Sequence, residues 1–362
     1  MESTEEKPFY YKSALILLSA ALFILFLYLA QEIIIPLVFA LFVAILLNPI
    51  VNFLTNKGVP RLISIFISLF LTLVFTGAFL SFIYLQVNMF TETYPALKAK
   101  YLIAHDDFVH FAASKLNVSS YKVTEWLNKQ GIELLSSASS SMGHTILTVG
   151  NIMVVIVLVP VYIFFILYYK SLLIEFIRKL FHVSHHKTVV EVLENTQVII
   201  RSYLVGLLIE GTIVAVLNCI GLLALGVEYA IILGITGAIL NVIPYIGGII
   251  AIALPMIIAV VTKSWVSSLL VLIVYLIIQF IDNHYLIPYI VASKVKVNAL
   301  MALIIVLVGN LTWGIPGMFL SIPILSLVKV IFDHIEPLKP YGFLLGDNIP
   351  STIRLPFSRK SK

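Results

Sequence analysis

Charged residues cut the chain into apolar runs of membrane length. In the first half, stretches without Asp, Glu, Lys or Arg cover residues 13–31, 33–56, 62–91 and 134–169. About 20 apolar residues span the hydrocarbon core of a bilayer, so these runs predict four transmembrane helices. Lys57 and Arg61 flank the joint between the second and third, and Lys170, Arg178, Lys179 and Lys187 follow the fourth. Basic residues favour the cytoplasmic side, which places both joints and the N-terminus there.

The second half departs from this regular spacing. Its uncharged runs are 211–227, 229–262, 264–281 and 297–328, and the second and fourth contain 34 and 32 residues, too many for one untilted helix. Both are broken in the middle. The first carries Asn241, Pro244, Gly247, Gly248 and Pro255; the second carries GNLTWGIPG over Gly309–Gly317, then Pro323. Proline removes a backbone donor and lipid cannot satisfy the freed carbonyls, so such breaks belong where protein or water surrounds them. The order Asn, Pro, Gly, Pro, Lys recurs from Asn241 to Lys263 and from Asn310 to Lys329, the outline of a weak internal repeat.

Two topologies follow. If 229–262 crosses once, Lys294 and Lys296 fall outside the cell, against the positive-inside pattern. If it is a re-entrant hairpin opening outward, 264–281 runs inward, both lysines become cytoplasmic and 297–328 forms a second hairpin opening inward. The second arrangement is preferred. It predicts two opposed hairpins whose tips meet near the midplane, the device from which secondary transporters build solute sites. Kinks packed against neighbouring helices are the alternative.

The remaining segments are shorter. Residues 92–140 are polar with apolar residues at helical spacing, including Phe108, Phe111, Val123 and Trp126, and predict a small extracytoplasmic helical insertion. His182, His185 and His186 have metal-ligand spacing, but no further ligand is fixed beside them; a solvated loop leading into an amphipathic helix is preferred. The organisation read from the chain is therefore N-terminal transmembrane helices over 1–91 and the insertion over 92–140. The fourth helix with a cytoplasmic amphipathic segment covers 141–200, a transport core with two broken hairpins covers 201–335, and a cytoplasmic tail covers 336–362. The fold class is all-α, a polytopic transmembrane helical protein.

Composition sharpens this picture. The chain is 60% hydrophobic and 11% charged, with mean hydropathy +1.07, which excludes a soluble globular protein. Its net charge of +5 is spread through loops and tails instead of forming one basic face, which argues against nucleic-acid binding. A single cysteine, Cys219, excludes an intramolecular disulfide. Lys7 and Lys12 precede an apolar run that resembles a signal peptide, but no A-x-A site follows and the reading is a retained helix.

Few polar groups lie inside the apolar runs. Glu210, in YLVGLLIEGTIVAVL, has apolar neighbours on both sides and is a candidate for proton coupling or a partnered structural role. Asp282 and Asn283 follow a long apolar helix that also carries Gln279, and serve either as interfacial anchors or as a proton or cation site. The candidate solute path is Asn241, Pro244, Tyr245, Gly247 and Gly248 with Asn310, Gly314, Pro316 and Gly317, where half-helix ends offer unpaired N–H and C=O groups. The sequence holds no P-loop, nucleophile elbow or metal-hydrolase motif. No enzyme activity, cofactor or metal is expected, and transport would be secondary or facilitated.

Three stretches carry a resemblance. PLVFALFVAILLNPIVNFLTNKGVPR, the block from Tyr203 through NVIPYIGG, and QFIDNHYLIPYIVASKVKVNALMALIIVLVGNLTWGIPGMF together resemble the autoinducer-2 exporter family of bacterial inner-membrane proteins. One departure is Ala292, where many relatives carry glycine. The resemblance implies export of a small polar signalling molecule or another small solute by a homo-oligomer, with pentamers expected. Other members look like sodium or lithium/proton antiporters, so the partner is a small polar solute or a monovalent cation, besides the lipid bilayer. A non-transporting membrane scaffold is the reading from a different class.

Overall fold

A computed structural model describes residues 9–85, 88, 149–242, 247–292 and 297–347. The expected extracytoplasmic insertion, along with Pro244 and Tyr245, lies outside the described residues. Helices α1 (Phe9–Leu29), α2 (Gln31–Asn56) and α3 (Arg61–Leu85) correspond to the first three apolar runs. Leu17, Phe23, Phe70 and Phe75 are exposed, as lipid-facing side chains must be. Helix α4 (Val149–Tyr168) then bends by 65° into α5 (Lys170–Lys179).

Small residues allow the first packing unit. Ala40 and Ala44, one turn apart on α2, let α3 and α4 approach closely, and Leu47, Val51, Ile65, Leu69, Ile163 and Leu167 fill the seam. A helix of 39 residues, α6 (His186–Ala224), follows a short 3-10 turn at Val183–His185. At 1.5 Å per residue it is about 58 Å long, more than the bilayer with its headgroups, so its charged first turns extend beyond the membrane. The amphipathic segment and the membrane helix separated at residue 200 are thus one helix, because nothing from 186 to 224 breaks the backbone ladder.

The run 229–262 is a hairpin. Helix α7 (Ala230–Asn241) runs out and α8 (Gly247–Thr262) returns, with Pro255 inside the second arm. At the base, the Lys263 ammonium donates to the Leu225 carbonyl at 2.6 Å across 38 residues. Val227, Ala230, Leu233, Ile258, Ala259 and Val261 close the interior. Arms of 12 and 16 residues are too short to cross a bilayer individually, so the tip stops within it. Ser264 then caps α9 (Trp265–Ile281) by accepting from the Ser267 amide at 3.2 Å. An eleven-residue π-helix, Asp282–Ala292, continues from it.

The second long run also folds back. Helical hydrogen bonding is nearly continuous over α10 (Ala299–His334), but Gly314 has φ 62° and ψ −140°, open in practice only to glycine. Ser321 Oγ donates to the Ile305 carbonyl at 2.9 Å, although 16 residues of straight helix would span about 24 Å. The two arms therefore lie antiparallel about Gly314, and Gly309 and Gly317 meet backbone to backbone. At the base, Asn298 caps the first arm through the Met301 amide and donates to the Leu344 and Gly346 carbonyls. This holds α11 (Lys339–Leu345), part of the expected tail, against the hairpin.

The hairpins have different neighbours. The first packs on α6 and α9, the second on α6, α2 and α1. Phe39 stacks on Phe319 at 5.6 Å, and Phe42, Ile200, Tyr203, Leu204 and Leu320 form their own core cluster. Among the described residues no hydrogen bond joins one tip to the other. The connection of the first hairpin, residues 243–246, lies outside the described residues, so the expected meeting of the tips falls there; the described parts of the two hairpins dock on the long helix α6 through separate apolar clusters.

Candidate functional site

Where the tip of the first hairpin meets α6 and α9, three polar residues singled out in the sequence come together. Glu210 is 3% exposed and Asp282 is 1% exposed. Asn241, the last residue of α7, donates through Nδ2 to Glu210 Oε1 at 3.3 Å and to Asp282 Oδ2 at 2.8 Å. One amide thus ties together two carboxylates brought from helices 72 residues apart in sequence. Among the described residues, no Lys, Arg or His forms an ion pair with either acid.

Two helical registers build the surroundings. Glu210, Val214 and Asn218 recur at four-residue spacing on α6, and Tyr275, Ile278, Gln279 and Asp282 share one face at the end of α9. With Gly237, Asn241 and Ala251 of the hairpin, all but Glu210 line a small pocket. Gly237 keeps it open: a Cβ there would lie 3.2 Å from the Tyr275 hydroxyl and 3.3 Å from the Asn218 amide nitrogen. Gly248 lies against Gln279 of the lining, where a Cβ would stand 3.0 Å from its Oε1.

The lining is under-satisfied. Asn218 donates to the Gly234 carbonyl at 3.3 Å, but its Oδ1, the Tyr275 hydroxyl and Asp282 Oδ1 are buried with no hydrogen-bond partner among the described residues. Buried polar atoms are ordinarily paired, so three together mark a place where a polar solute, ion or water belongs. The pocket has room for about one water, far below the ~300–1,000 Å³ typical of small-molecule sites. A single ion or water fits it as it stands, and a larger solute requires the hairpin to move.

The other sequence candidates are placed elsewhere. Asn283 is exposed, because one residue further along the π-helix turns it away from Asp282. At the second break Asn310 is exposed, Pro316 is half-buried, and Gly314 and Gly317 make the turn and the close arm contact. These four form no polar cluster with Glu210 or Asp282. Asn218 and Tyr275 are the site residues that the sequence reading missed, although helical spacing from Glu210 and Asp282 points to both. The histidines serve local turns: His182 accepts from the Ser184 amide, and the His186 ring contacts the Phe181 carbonyl.

A multi-pass helical protein with re-entrant hairpins and a buried acidic pair at one tip has the build of a membrane transporter. Comparison with known proteins makes this specific. The model of the AI-2E family transporters matches residues 17–336, and the chain belongs to that family. It is 27% identical over 318 residues, 84% of this chain and 87% of the relative, to a Bacillus subtilis (strain 168) protein named "Putative transport protein YrrI". It is 24% identical over 334 residues, 88% of this chain and 90% of the relative, to the "AI-2 transport protein TqsA" of Escherichia coli (strain K12).

Proposed function

We propose that this membrane transporter is a secondary exporter of a small polar solute across the bacterial inner membrane, working as a homo-oligomer for which a pentamer is expected. The solute path runs along the tip of the first hairpin, at Asn241, Gly247 and Gly248, with Pro244 and Tyr245 in the connection. Glu210 and Asp282 couple it to protons or cations. The observation that carries this reading is the Asn241 amide bridging two buried carboxylates that have no basic partner among the described residues. Such a pair in a low-dielectric interior favours an incoming positive charge, and exchanging that charge for solute is a way to drive a cycle. The AI-2 named for TqsA is a candidate cargo because it is the transported molecule that this relative's name records.

The small pocket favours a second reading, sodium or lithium/proton antiport, since it accommodates an ion without rearrangement. The two are separated in proteoliposomes carrying a pH-sensitive dye. Sodium or lithium pulses that move protons in wild type, but not in Glu210→Gln or Asp282→Asn, establish the antiporter. Uptake of labelled polar solute without such a response establishes the exporter. If neither appears with folded, reconstituted protein, both readings fail and a scaffold role takes their place.

A further inference from the structure

Far from the acidic pair, the elbow between α4 and α5 carries charge that the transport cycle does not use. Arg61, at the start of α3, donates through Nη2 to the Leu167 carbonyl at 3.0 Å and through Nη1 to Ser171 Oγ at 3.5 Å. Lys170, the first residue of α5, donates to Asn48 Oδ1 at 3.1 Å. All three partners are neutral. Among the described residues no carboxylate pairs with either cation, and nearby Glu175 is held by Arg178 at 2.9 Å and Lys179 at 3.8 Å. Burial, followed by the adjacent Arg61 guanidinium, lowers the Lys170 ammonium from its ordinary pKa, as expected for a cation lacking a counterion.

The setting identifies the missing charge. Helix α5 turns 65° from α4, and no residue of α5 is buried against the protein. Leu172, Leu173 and Phe176 of α5, with Leu180 just beyond, fall on one helical face and are all exposed; Arg178 lies on the opposite side and Lys179 at the edge of the apolar face. Phe165 stacks on Tyr169 and Tyr168 meets Tyr169 edge-on around the bend, an aromatic cluster of the kind found at the membrane–water boundary. An amphipathic helix of this kind rests in the interfacial plane with its apolar face among acyl chains.

We propose that the Arg61–Lys170 elbow binds the headgroup phosphate of an anionic phospholipid, with α5 lying in the interface above it. The phosphate supplies the absent negative charge, and Ser171 adds a hydroxyl donor. The proposal rests on the multi-pass membrane fold and is independent of what the protein transports.

The test is native mass spectrometry of the full-length protein in detergent with phosphatidylglycerol or phosphatidylcholine added. Wild type is expected to retain phosphatidylglycerol selectively. Arg61→Gln/Lys170→Gln should weaken retention about 30-fold, from two charges at about 1 kcal/mol each. Arg178→Gln/Lys179→Gln should change it less than about twofold, because those cations are already paired. Ser171→Asp, at an exposed position, introduces a fixed anion and should also displace lipid, which keeps the test decisive if the double variant fails to fold. Equal retention of both lipids, unchanged retention in Ser171→Asp, or displacement by millimolar inorganic phosphate alone would overturn the proposal. So would loss of oligomer in these variants with lipid retention unchanged, which would make the elbow a subunit contact.

Discussion

The first hairpin sets a half-buried Asn241 between two carboxylates, whereas the second turns its counterpart, Asn310, to the exterior. Both come from the same sequence device, a long uncharged run broken by Asn, Gly and Pro. What differs is the opposing surface. The first tip meets α6 and α9 where they present Glu210, Asn218, Tyr275, Gln279 and Asp282. The second meets apolar surfaces of α1, α2 and α6, and its Trp313 indole donates to the Leu27 carbonyl at 3.0 Å. The comparison teaches that a break in a membrane helix supplies a place for chemistry, and the helices facing it decide whether chemistry occurs there.

The largest test of that contrast removes charge from the first hairpin's site without changing its shape. Glu210→Gln and Asp282→Asn keep the size and much of the hydrogen bonding of each side chain. Each is expected to lower coupled flux in proteoliposomes by about 10- to 100-fold, the equivalent of losing one charged interaction of about 1.5–3 kcal/mol. Full activity in both variants, with intact oligomer, would leave the two hairpins functionally equivalent.

The second hairpin should respond in stability instead. A Cβ at Gly317 would run into the Gly309 carbonyl, and one at Gly309 into Ser321 Oγ and the Gly317 backbone. Gly317→Ala and Gly309→Ala are expected to destabilise by about 1–3 kcal/mol through overpacking, read as an earlier thermal transition of the detergent-solubilised protein. Gly248→Ala makes the contrasting case in the first hairpin. Its Cβ meets the flexible end of Gln279, so the transition should move by less than about 1 kcal/mol while flux falls several-fold as the pocket wall shifts.

Much of this contrast was legible in the chain. The lengths of the uncharged runs and the placement of Lys294 and Lys296 pointed to hairpins, and isolation in apolar sequence singled out Glu210 and Asp282. Helical periodicity could also have found Asn218 and Tyr275, since both lie at face-sharing distances from those acids. The difference between the tips was hidden because the repeat gives Asn241 and Asn310 the same local setting. Their environments depend on α6 and α9, contacts tens of residues away. The continuity of α6 escaped for a related reason: charges at 187–201 look like a separate amphipathic segment until a helix of about 58 Å carries them out of the bilayer.

The smallest expected effect is that of Asn310→Ala, and set beside Asn241→Ala it sharpens the comparison most directly, because the pair exchanges like for like. Asn241→Ala removes an amide that donates to both acids and leaves their buried oxygens short of a donor. Leaving buried charged groups without such a bond costs at least about 1–3 kcal/mol in the state that held it, and flux should collapse with it. Asn310→Ala removes the same side chain from an exposed position in the other hairpin. Its expected cost is within about 0.5 kcal/mol, with flux at the wild-type level. If Asn310→Ala instead abolishes flux while the protein remains folded, the second tip handles solute in another conformation. The two hairpins would then act in turn, and the asymmetry seen here would describe one step of the cycle.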